Sequence, residues 1–240
     1  MTASKKAVRR IGIALCELFT LGTILMLLIT GQYDRLPLAF GTLLLVLLPS
    51  AMEQLLHCRI CLPVYLFALL YAVGPMLGQC WNLYYTVACW DKILHICGGV
   101  MFAIVGLYLF DFLNRGQKSM LLCVTFALCF SMALGAAWEF VEFGSDQLLH
   151  SDMQDDTVIT SLYSYMLDDG IGVAGSIPDI QSVVIDGTPL PVDGYIDIGL
   201  IDTMLDMLLE TLGALAICVA ALIDKGNHPL IEKLPTNKEN

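Results

Sequence analysis

The chain has 240 residues, of which 57% are hydrophobic and 15% are charged, and its mean hydropathy is +0.74. A soluble domain carries about 25% charged residues, so this composition argues against a soluble globular protein. The formal net charge is −11, which excludes the basic surface that a nucleic-acid-binding protein needs. The excess of acid is local, because ten aspartates lie within residues 146–197, where there is no lysine or arginine.

Six apolar runs approach the length of about 20 residues that a helix needs to cross a bilayer. In chain order, the predicted spans cover residues 11–30, 36–52, 60–77, 93–112, 119–143 and 198–223. Basic residues precede the first run, as in a signal peptide, but its 20 residues exceed a signal-peptide core. We therefore predict an uncleaved first helix. Because lipid cannot satisfy exposed backbone groups, the predicted fold is an all-α polytopic membrane helix bundle with about six transmembrane helices.

The lysines and arginines set the orientation of these spans, since they accumulate in cytoplasmic segments. If the N-terminus is cytoplasmic, only Arg35 and Lys92 fall in outer segments. The other ten fall in cytoplasmic segments: Lys5, Lys6, Arg9, Arg10, Arg59, Arg115, Lys118, Lys225, Lys233 and Lys238. This distribution predicts cytoplasmic N- and C-termini and makes residues 144–197 an acidic extracytoplasmic loop.

The acidic loop is too long for a simple connection, and loops of this length tend to be functional or disordered. The residues Ser182 to Gly187 and Tyr195 to Asp197 resemble strands beside Asp-Gly turn signals. We therefore predict a small β-hairpin within the loop.

Three predicted spans carry ionisable residues in pairs, although a charge at bilayer depth costs roughly 2.5–3.5 kcal/mol. The members of each pair are three or four residues apart and so share a helix face. The pairs are Asp91 and His95, which open span four, Glu139 and Glu142, which end span five, and Asp202 and Asp206, which open span six. Spans four and six run inward and span five runs outward, so all three pairs are predicted at one depth in the outer half of the bilayer.

Several carboxylates at one place cannot all ionise without compensation, and a divalent cation would supply it. We predict Asp91, His95, Asp202 and Asp206 as metal ligands and either Glu139 or Glu142 as a general base. The oxygen-rich ligand set suits Mg²⁺ or Mn²⁺, whereas Zn²⁺ would use the histidine more. The accompanying polar residues are Lys92, Trp138, Thr203 and Glu210.

Three functions fit this predicted cluster. In the first, a bound metal polarises a phosphoryl or ester oxygen of a membrane lipid or a lipid-linked envelope precursor. In the second, the same carboxylates couple protons or ions to transport, or to the handling of a lipid. In the third, Lys92 neutralises one carboxylate and the cluster is a structural polar core. Activity and substrate are not determined by the sequence.

The cysteines do not form a recognisable site. Most of the nine lie in apolar runs, where cysteine behaves as a small hydrophobe. Cys58 and Cys61 form a C-x-x-C motif, but a zinc site usually needs a second ligand pair, and none is obvious nearby. Cys80 and Cys89 share one predicted outer loop, and their spacing does not decide whether they pair.

Three strings of residues resemble a known family. They are Asp91-Lys92-Ile93-Leu94-His95, Trp138-Glu139-Phe140-Val141-Glu142 and Asp202-Thr203-Met204-Leu205-Asp206, with Gly213 following. In order and spacing they resemble the YjdF-type family of bacterial inner-membrane proteins and, more distantly, VanZ-like proteins, over about residues 85–220.

The resemblance implies a location in the bacterial cytoplasmic membrane, and the VanZ likeness points to envelope biology. It does not supply an activity. This chain departs from the family in the outer loop, where a long acidic insertion separates Gln154 from the Asp202-Thr203 string. The insertion suggests a specialised binding loop.

Overall fold

The structure is a computed structural model that describes residues 3–55, 57–114, 119–224 and 231–233. Within them lie seven helices: α1 (Ala3–Thr30), α2 (Leu36–Leu55), α3 (Leu62–Cys80), the short α4 (Leu83–Thr86), α5 (Trp90–Leu113), α6 (Met120–Leu149) and α7 (Leu200–Asp224). The strands are all short: β1 (Cys58–Ile60), β2 (Thr157–Ile159), β3 (Leu162–Ser164), β4 (Gly175–Ile177), β5 (Val184–Ile185), β6 (Thr188–Pro189), β7 (Tyr195–Asp197) and β8 (Ile231–Lys233).

Six of these helices, all except α4, are long and apolar enough to cross a membrane. At 1.5 Å per residue, the 19 residues of α3 extend about 29 Å and the 30 residues of α6 about 45 Å. Large apolar side chains remain exposed along them, among them Leu18, Leu25 and Leu44, as expected where lipid is the solvent. The predicted class, a membrane helix bundle with about six spans, is confirmed.

The helices extend beyond several predicted bounds. Helix α1 begins at Ala3 rather than residue 11, so the basic N-terminal residues are helical. Pro49 and Pro75 lie inside α2 and α3, each of which continues three residues past its predicted end, because membrane helices tolerate proline. Helix α6 continues to Leu149, so residues 144–149 are helical and the connection to α7 begins at residue 150.

The chain divides into two compact units, one comprising Met1–Gly135 and Leu209–Asn240 and the other Ala136–Leu208. In the first unit, α1, α2 and α3 pack against one another. Their core includes Leu27, Val46 and Met76, none of which exposes any surface, and Tyr65, which is 1% exposed. Strand β1 pairs with β8 in antiparallel register, with Cys58 opposite Lys233.

A partly buried ion pair connects α1 to the end of α2. The guanidinium of Arg9 donates a hydrogen bond to Glu53 Oε1 at 2.7 Å and another to the backbone carbonyl of Ile60, and it lies over the ring of Tyr65. The same Glu53 oxygen accepts the backbone N–H of Ile60 at 2.7 Å. Arg9 and Glu53 therefore hold the N-terminal part of α1 against the residues that connect α2 to α3.

The second unit contains three antiparallel strand pairs. Strand β2 pairs with β7, β3 with β4, and β5 with β6. The β5–β6 hairpin turns at Asp186 and Gly187, whose φ angles of 50° and 81° fit a type I′ turn. The predicted small hairpin is confirmed at this Asp-Gly pair. Tyr195–Asp197 is a strand as predicted, but it pairs with β2 and is not part of that hairpin.

Candidate functional site

Helix α5 opens with a polar turn. Asp91 and His95 lie on one face, with Asp91 Oδ1 and His95 Nε2 3.7 Å apart, and the imidazole is buried at 7% exposure. Lys92 Nζ lies 3.3 Å from Asp91 Oδ2. The carboxylate therefore lies between an ammonium group and an imidazole, each close enough to pair with it.

Helix α6 buries two glutamates near its end. Glu139 and Glu142 are 4% and 5% exposed, and one oxygen of each lies within 4.8 Å of the other. The indole Nε1 of Trp138 donates a 2.7 Å hydrogen bond to Glu142 Oε1. Trp138 and Glu142 are four residues apart on one helix, so this bond holds the carboxylate in one orientation.

Helix α7 buries three carboxylates on one face. Asp202, Asp206 and Glu210 follow one another at four-residue intervals and are 5%, 0% and 4% exposed. The three acids form a polar stripe along an otherwise apolar helix. Buried ionised groups require a partner or must be neutralised.

Within the first unit, the side chain of Glu210 lies between α5 and α6. Ser131 on α6 donates to Gly99 O at 3.3 Å and lies 3.5 Å from Glu210 Oε1. A Cβ at Gly135 would overlap the Glu210 carboxylate, and a Cβ at Gly99 would overlap the backbone carbonyl of the same residue. Gly135 therefore leaves room for the Glu210 carboxylate, and Gly99 lets the backbone of α7 approach α5.

Helices α5 and α7 are also in close backbone contact at Gly213. A Cβ at Gly213 would overlap the carbonyl oxygen of Ile96 and would lie 3.2 Å from the backbone nitrogen of Val100. Small residues at such crossings let membrane helices pack backbone to backbone. The contact fixes α5 against α7 next to Glu210.

In the second unit, the Asp146 carboxylate orders the residues that follow α6. Its Oδ1 accepts from Ser151 Oγ at 2.8 Å and from Met153 N at 2.7 Å, and its Oδ2 accepts from Gln154 N at 2.9 Å. Hydrogen bonds to an ionised carboxylate are about twice as strong as neutral ones. Residues 151–154 are therefore held against the end of α6.

The same short segment contacts the beginning of α7. The amide of Gln154 donates to Thr203 Oγ1, and Asp155 N donates to Asp202 Oδ2 at 3.0 Å. A Cβ at Gly199 would overlap the Gln154 side chain. Thr203, predicted only as an accompanying polar residue, thus anchors this segment, and Asp202 is held in place by a backbone N–H.

The first and last residues of the acidic insertion are joined by one short antiparallel strand pair, β2 with β7. Thr157 pairs with Asp197, Val158 with Ile196 and Ile159 with Tyr195. We call the β2–β7 pair the neck, because it closes the loop formed by residues 160–194. The neck explains how Gln154 reaches Thr203 despite the long separation in sequence.

Acidic side chains line a cavity of about 310 Å³ in the second unit, among them Asp146, Asp152 and Asp156. Partial desolvation, followed by the negative charges of Asp152, Asp197 and Asp146, raises the pKa of Asp156 above its usual value. The carboxylates around Asp156 therefore repel one another when all of them are ionised.

The cysteines do not add a site to those described. Cys80 and Cys89 are both free thiols. Burial, followed by the charge of Glu53, raises the pKa of the Cys58 thiol. A thiol buried in this way is typical of a structural cysteine.

Sequence reasoning identified the buried acids but not the residues that hold them. The helical spacing of Glu139, Glu142, Asp202 and Asp206 predicted shared faces, and all four are buried. The contact of Ser131 with Glu210 and that of Gln154 with Thr203 were not predicted. Ser131 continues the four-residue series through Gly135 to Glu139, a signal present in the sequence, whereas Gln154 is placed by the fold of the loop.

The buried acids and the histidine of α5, α6 and α7 supply the oxygen and nitrogen donors that could hold a metal ion. Carboxylate and imidazole groups on helices of a bundle are common metal ligands. This donor chemistry, rather than a known activity, distinguishes these three helices from the other spans.

Comparison with known proteins gives one match. No curated protein and no solved structure matches the chain. A family model described as "Predicted membrane protein (DUF2238)" matches residues 11–226, which include all six candidate spans apart from the first turns of α1. The chain therefore belongs to this family of predicted membrane proteins.

Proposed function

We propose that the polar turns of α5, α6 and α7 form one divalent-metal site that acts on a phosphorylated membrane lipid or a lipid-linked envelope precursor. The observation that carries this proposal is the packing of α5, α6 and α7 around Glu210 in the first unit. The ligands that we assign are His95, Asp202 and Asp206, with Asp91 at the edge and Glu139 or Glu142 as the base.

On each of the three helices, a predicted site residue lies one turn from the residues that pack around Glu210. His95 precedes Gly99 by four residues, Glu139 follows Gly135 by four, and Asp206 precedes Glu210 by four. Consecutive membrane spans alternate in direction, so one 5.4 Å turn along each helix leads toward the same side of the bilayer. The polar turns of α5, α6 and α7 would therefore lie toward the same side of the bilayer.

The charge of the site supports a bound cation. Glu139, Glu142, Asp202 and Asp206 are each at most 5% exposed, and four neighbouring carboxylates repel one another unless they are neutralised. A divalent cation neutralises two of them and uses the oxygen donors that Mg²⁺ and Mn²⁺ prefer. Zn²⁺ would instead favour His95 with fewer carboxylates.

The orientation of the chain supports an opening toward the outer leaflet. The ten cytoplasmic lysines and arginines against two outer ones favour cytoplasmic termini in a bacterial inner membrane. The turns at the start of α5, the end of α6 and the start of α7 then lie at the outer side. The resemblance to VanZ-like proteins is compatible with an envelope substrate there.

The proposed reaction is hydrolysis. A metal held by His95, Asp202 and Asp206 would polarise a phosphoryl oxygen and would stabilise the charge that develops on it. Glu139 or Glu142 removes a proton from the attacking water, whose oxygen bonds to phosphorus while the ester or anhydride bond to the leaving group breaks. Trp138 is a positioning residue, because it holds the Glu142 carboxylate through its indole N–H.

A phosphate-release assay tests this reaction. The full chain in nanodiscs is mixed with a lipid diphosphate and with Mg²⁺, Mn²⁺ or Zn²⁺ in turn. We expect metal-dependent release that falls roughly 10²–10⁴-fold when the general base is removed in Glu139→Gln or Glu142→Gln. The matched control is Asp168→Asn with Asp169→Asn, which changes charge in the exposed loop. Release that is unaffected by chelation or by both glutamate variants contradicts the proposal.

Proton-coupled transport is a second candidate, and the position of Glu210 favours it. This carboxylate of α7 is buried beside the Ser131 hydroxyl of α6, and buried acids in membrane helices commonly relay protons. In proteoliposomes, transport would require a pH gradient and would be lost in Glu210→Gln. A gradient-dependent flux without lipid hydrolysis would favour this candidate over the metal site.

A further inference from the structure

The hairpin formed by β3 and β4, residues 162–177, is an ordered element of the acidic loop. Leu162 pairs with Ile177, and Ser164 pairs with Gly175. Ser164 Oγ accepts the backbone N–H of Met166, and Asp168 Oδ1 accepts that of Gly170 at 2.7 Å. The polypeptide therefore turns through hydrogen-bonded caps, which give its side chains defined positions.

This ordered hairpin exposes apolar side chains. Ile171 is fully exposed, Met166 is 93% exposed, and Tyr163 and Tyr165 are each about 70% exposed. Leu167, Val173 and Ile177 are exposed as well. We call the exposed side chains of residues 163–177 the apolar tip. Single exposed apolar residues are ordinary, but several on one short ordered element indicate an interaction surface.

The charge around the apolar tip determines what it can bind. Asp168 and Asp169 lie within the hairpin, and residues 144–197 contain ten aspartates and no lysine or arginine. A second copy of this loop would carry the same negative charge and be repelled. Anionic lipid headgroups would be repelled for the same reason, whereas a cationic surface would be attracted.

We propose that the apolar tip binds a cationic amphipathic polypeptide segment. Apolar side chains of that segment would cover Met166 and Ile171, and its lysines or arginines would pair with Asp168 and Asp169. Exposed aromatic, methionine and isoleucine side chains provide the buried contact area of such an interface. The flanking carboxylates provide attraction at a distance and selectivity for charge. This surface is independent of the proposed metal site, since it lies in the insertion beyond the neck.

A binding titration with a designed peptide tests the proposal. The probe is a fluorescently labelled amphipathic peptide of lysine and leucine, and the comparison probe has glutamate in place of lysine. Fluorescence anisotropy is measured with the full chain in non-ionic detergent micelles, with empty micelles subtracted. We expect the lysine peptide to bind and the glutamate peptide not to. The affinity of the lysine peptide should fall as salt rises from about 50 to about 500 mM.

Two variants locate the binding surface. Met166→Ser with Ile171→Ser should weaken binding by about tenfold or more, equivalent to about 1.4 kcal/mol. The matched control, Val184→Ser with Ile185→Ser, removes exposed apolar side chains from the neighbouring β5–β6 hairpin and should bind as the unchanged chain does. Both pairs are exposed, so the thermal unfolding midpoint should be the same in the two variants.

Three outcomes would overturn the proposal. The first is equal binding of the two peptides, and the second is undiminished binding by the Met166→Ser, Ile171→Ser variant. The third is insertion of the tip into lipid. In a Tyr165→Trp variant, a blue-shifted tryptophan emission on transfer from micelles to zwitterionic nanodiscs without peptide would identify the bilayer as the occupant.

Discussion

At the scale of single residues, glycines determine where the buried carboxylate of Glu210 can lie. A side chain at Gly135 would occupy the space of that carboxylate, and one at Gly99 would meet its backbone carbonyl. A glutamate on α7 is thus accommodated by the absence of side chains on α5 and α6. The sequence alone indicates small residues on these helices, but it does not identify Glu210 as their partner.

Gly135→Ala tests this packing. The added methyl group must displace the Glu210 carboxylate, and overpacking of this kind costs about 1–3 kcal/mol. We expect a lower thermal unfolding midpoint in detergent. The matched control is Gly144→Ala on the same helix, where nothing lies within 4 Å of the new Cβ. If Glu210→Ala does not relieve the cost in the double variant, the assigned contact is wrong.

Asp146→Asn tests the hydrogen bonds that order residues 151–154. An amide has one oxygen where the carboxylate has two, so an acceptor for Met153 N or Gln154 N is lost, together with the charge. A hydrogen bond to an ionised group contributes about 1.5–3 kcal/mol, and the backbone amides of residues 153–155 should exchange with deuterium at least tenfold faster. Asp152→Asn, a neighbouring exposed acid, should leave exchange unchanged. Unchanged exchange in Asp146→Asn would rule out this role.

At the scale of elements, the neck separates the acidic insertion from the residues that hold α7. The Asp-Gly turn of the β5–β6 hairpin was predictable, because positive φ angles at both positions restrict the choice of residues. The pairing of β2 with β7 was not. Its two strands are about 35 residues apart in sequence, and no short-range pattern specifies a pairing at that distance.

Replacement of residues 160–194 by Asn-Gly tests the neck. Ile159 and Tyr195 are opposite one another in the ladder, so a two-residue type I′ turn can join them directly. We expect the shortened chain to insert into the membrane and to keep the contact of Gln154 with Thr203. Its thermal midpoint should match that of the full chain. A second deletion that also removes β2 and β7 serves as the comparison.

The opposite result would contradict this account. If loss of residues 160–194 destabilised the chain as much as loss of the neck itself, the insertion would be part of the structural core. The shortened chain should also lose binding of the lysine peptide while retaining metal, because the apolar tip and the metal ligands lie on opposite sides of the neck in sequence.

At the scale of the whole molecule, the composition and the spacing of apolar and acidic residues predicted more of the structure than any single motif. The scarcity of charge and the six apolar runs predicted the class, and the described residues include six helices able to cross a membrane. The burial of Glu139, Asp202 and Asp206 followed from their place inside apolar helices. The supporting contacts of Ser131 and Gln154 depend on tertiary packing, which one sequence does not specify.

Reporter fusions test the orientation that places the polar turns at the outer leaflet. A reporter that is active only outside the cytoplasm should be active when fused at position 170 and inactive at position 116. We expect this because lysine and arginine accumulate in cytoplasmic segments, and they flank position 116 but are missing from residues 144–197. A cytoplasmic reading at position 170 would invert the chain and contradict an outer-leaflet substrate.

Metal content tests the central claim most directly. The purified full chain is equilibrated with Mg²⁺, Mn²⁺ or Zn²⁺, washed, and measured by inductively coupled plasma mass spectrometry beside two folded variants. We predict about one bound divalent ion per chain, lost in Asp202→Asn with Asp206→Asn and retained in Asp168→Asn with Asp169→Asn. A folded chain that retains none of the three metals, or equal retention in both variants, would contradict a metal site on α5, α6 and α7.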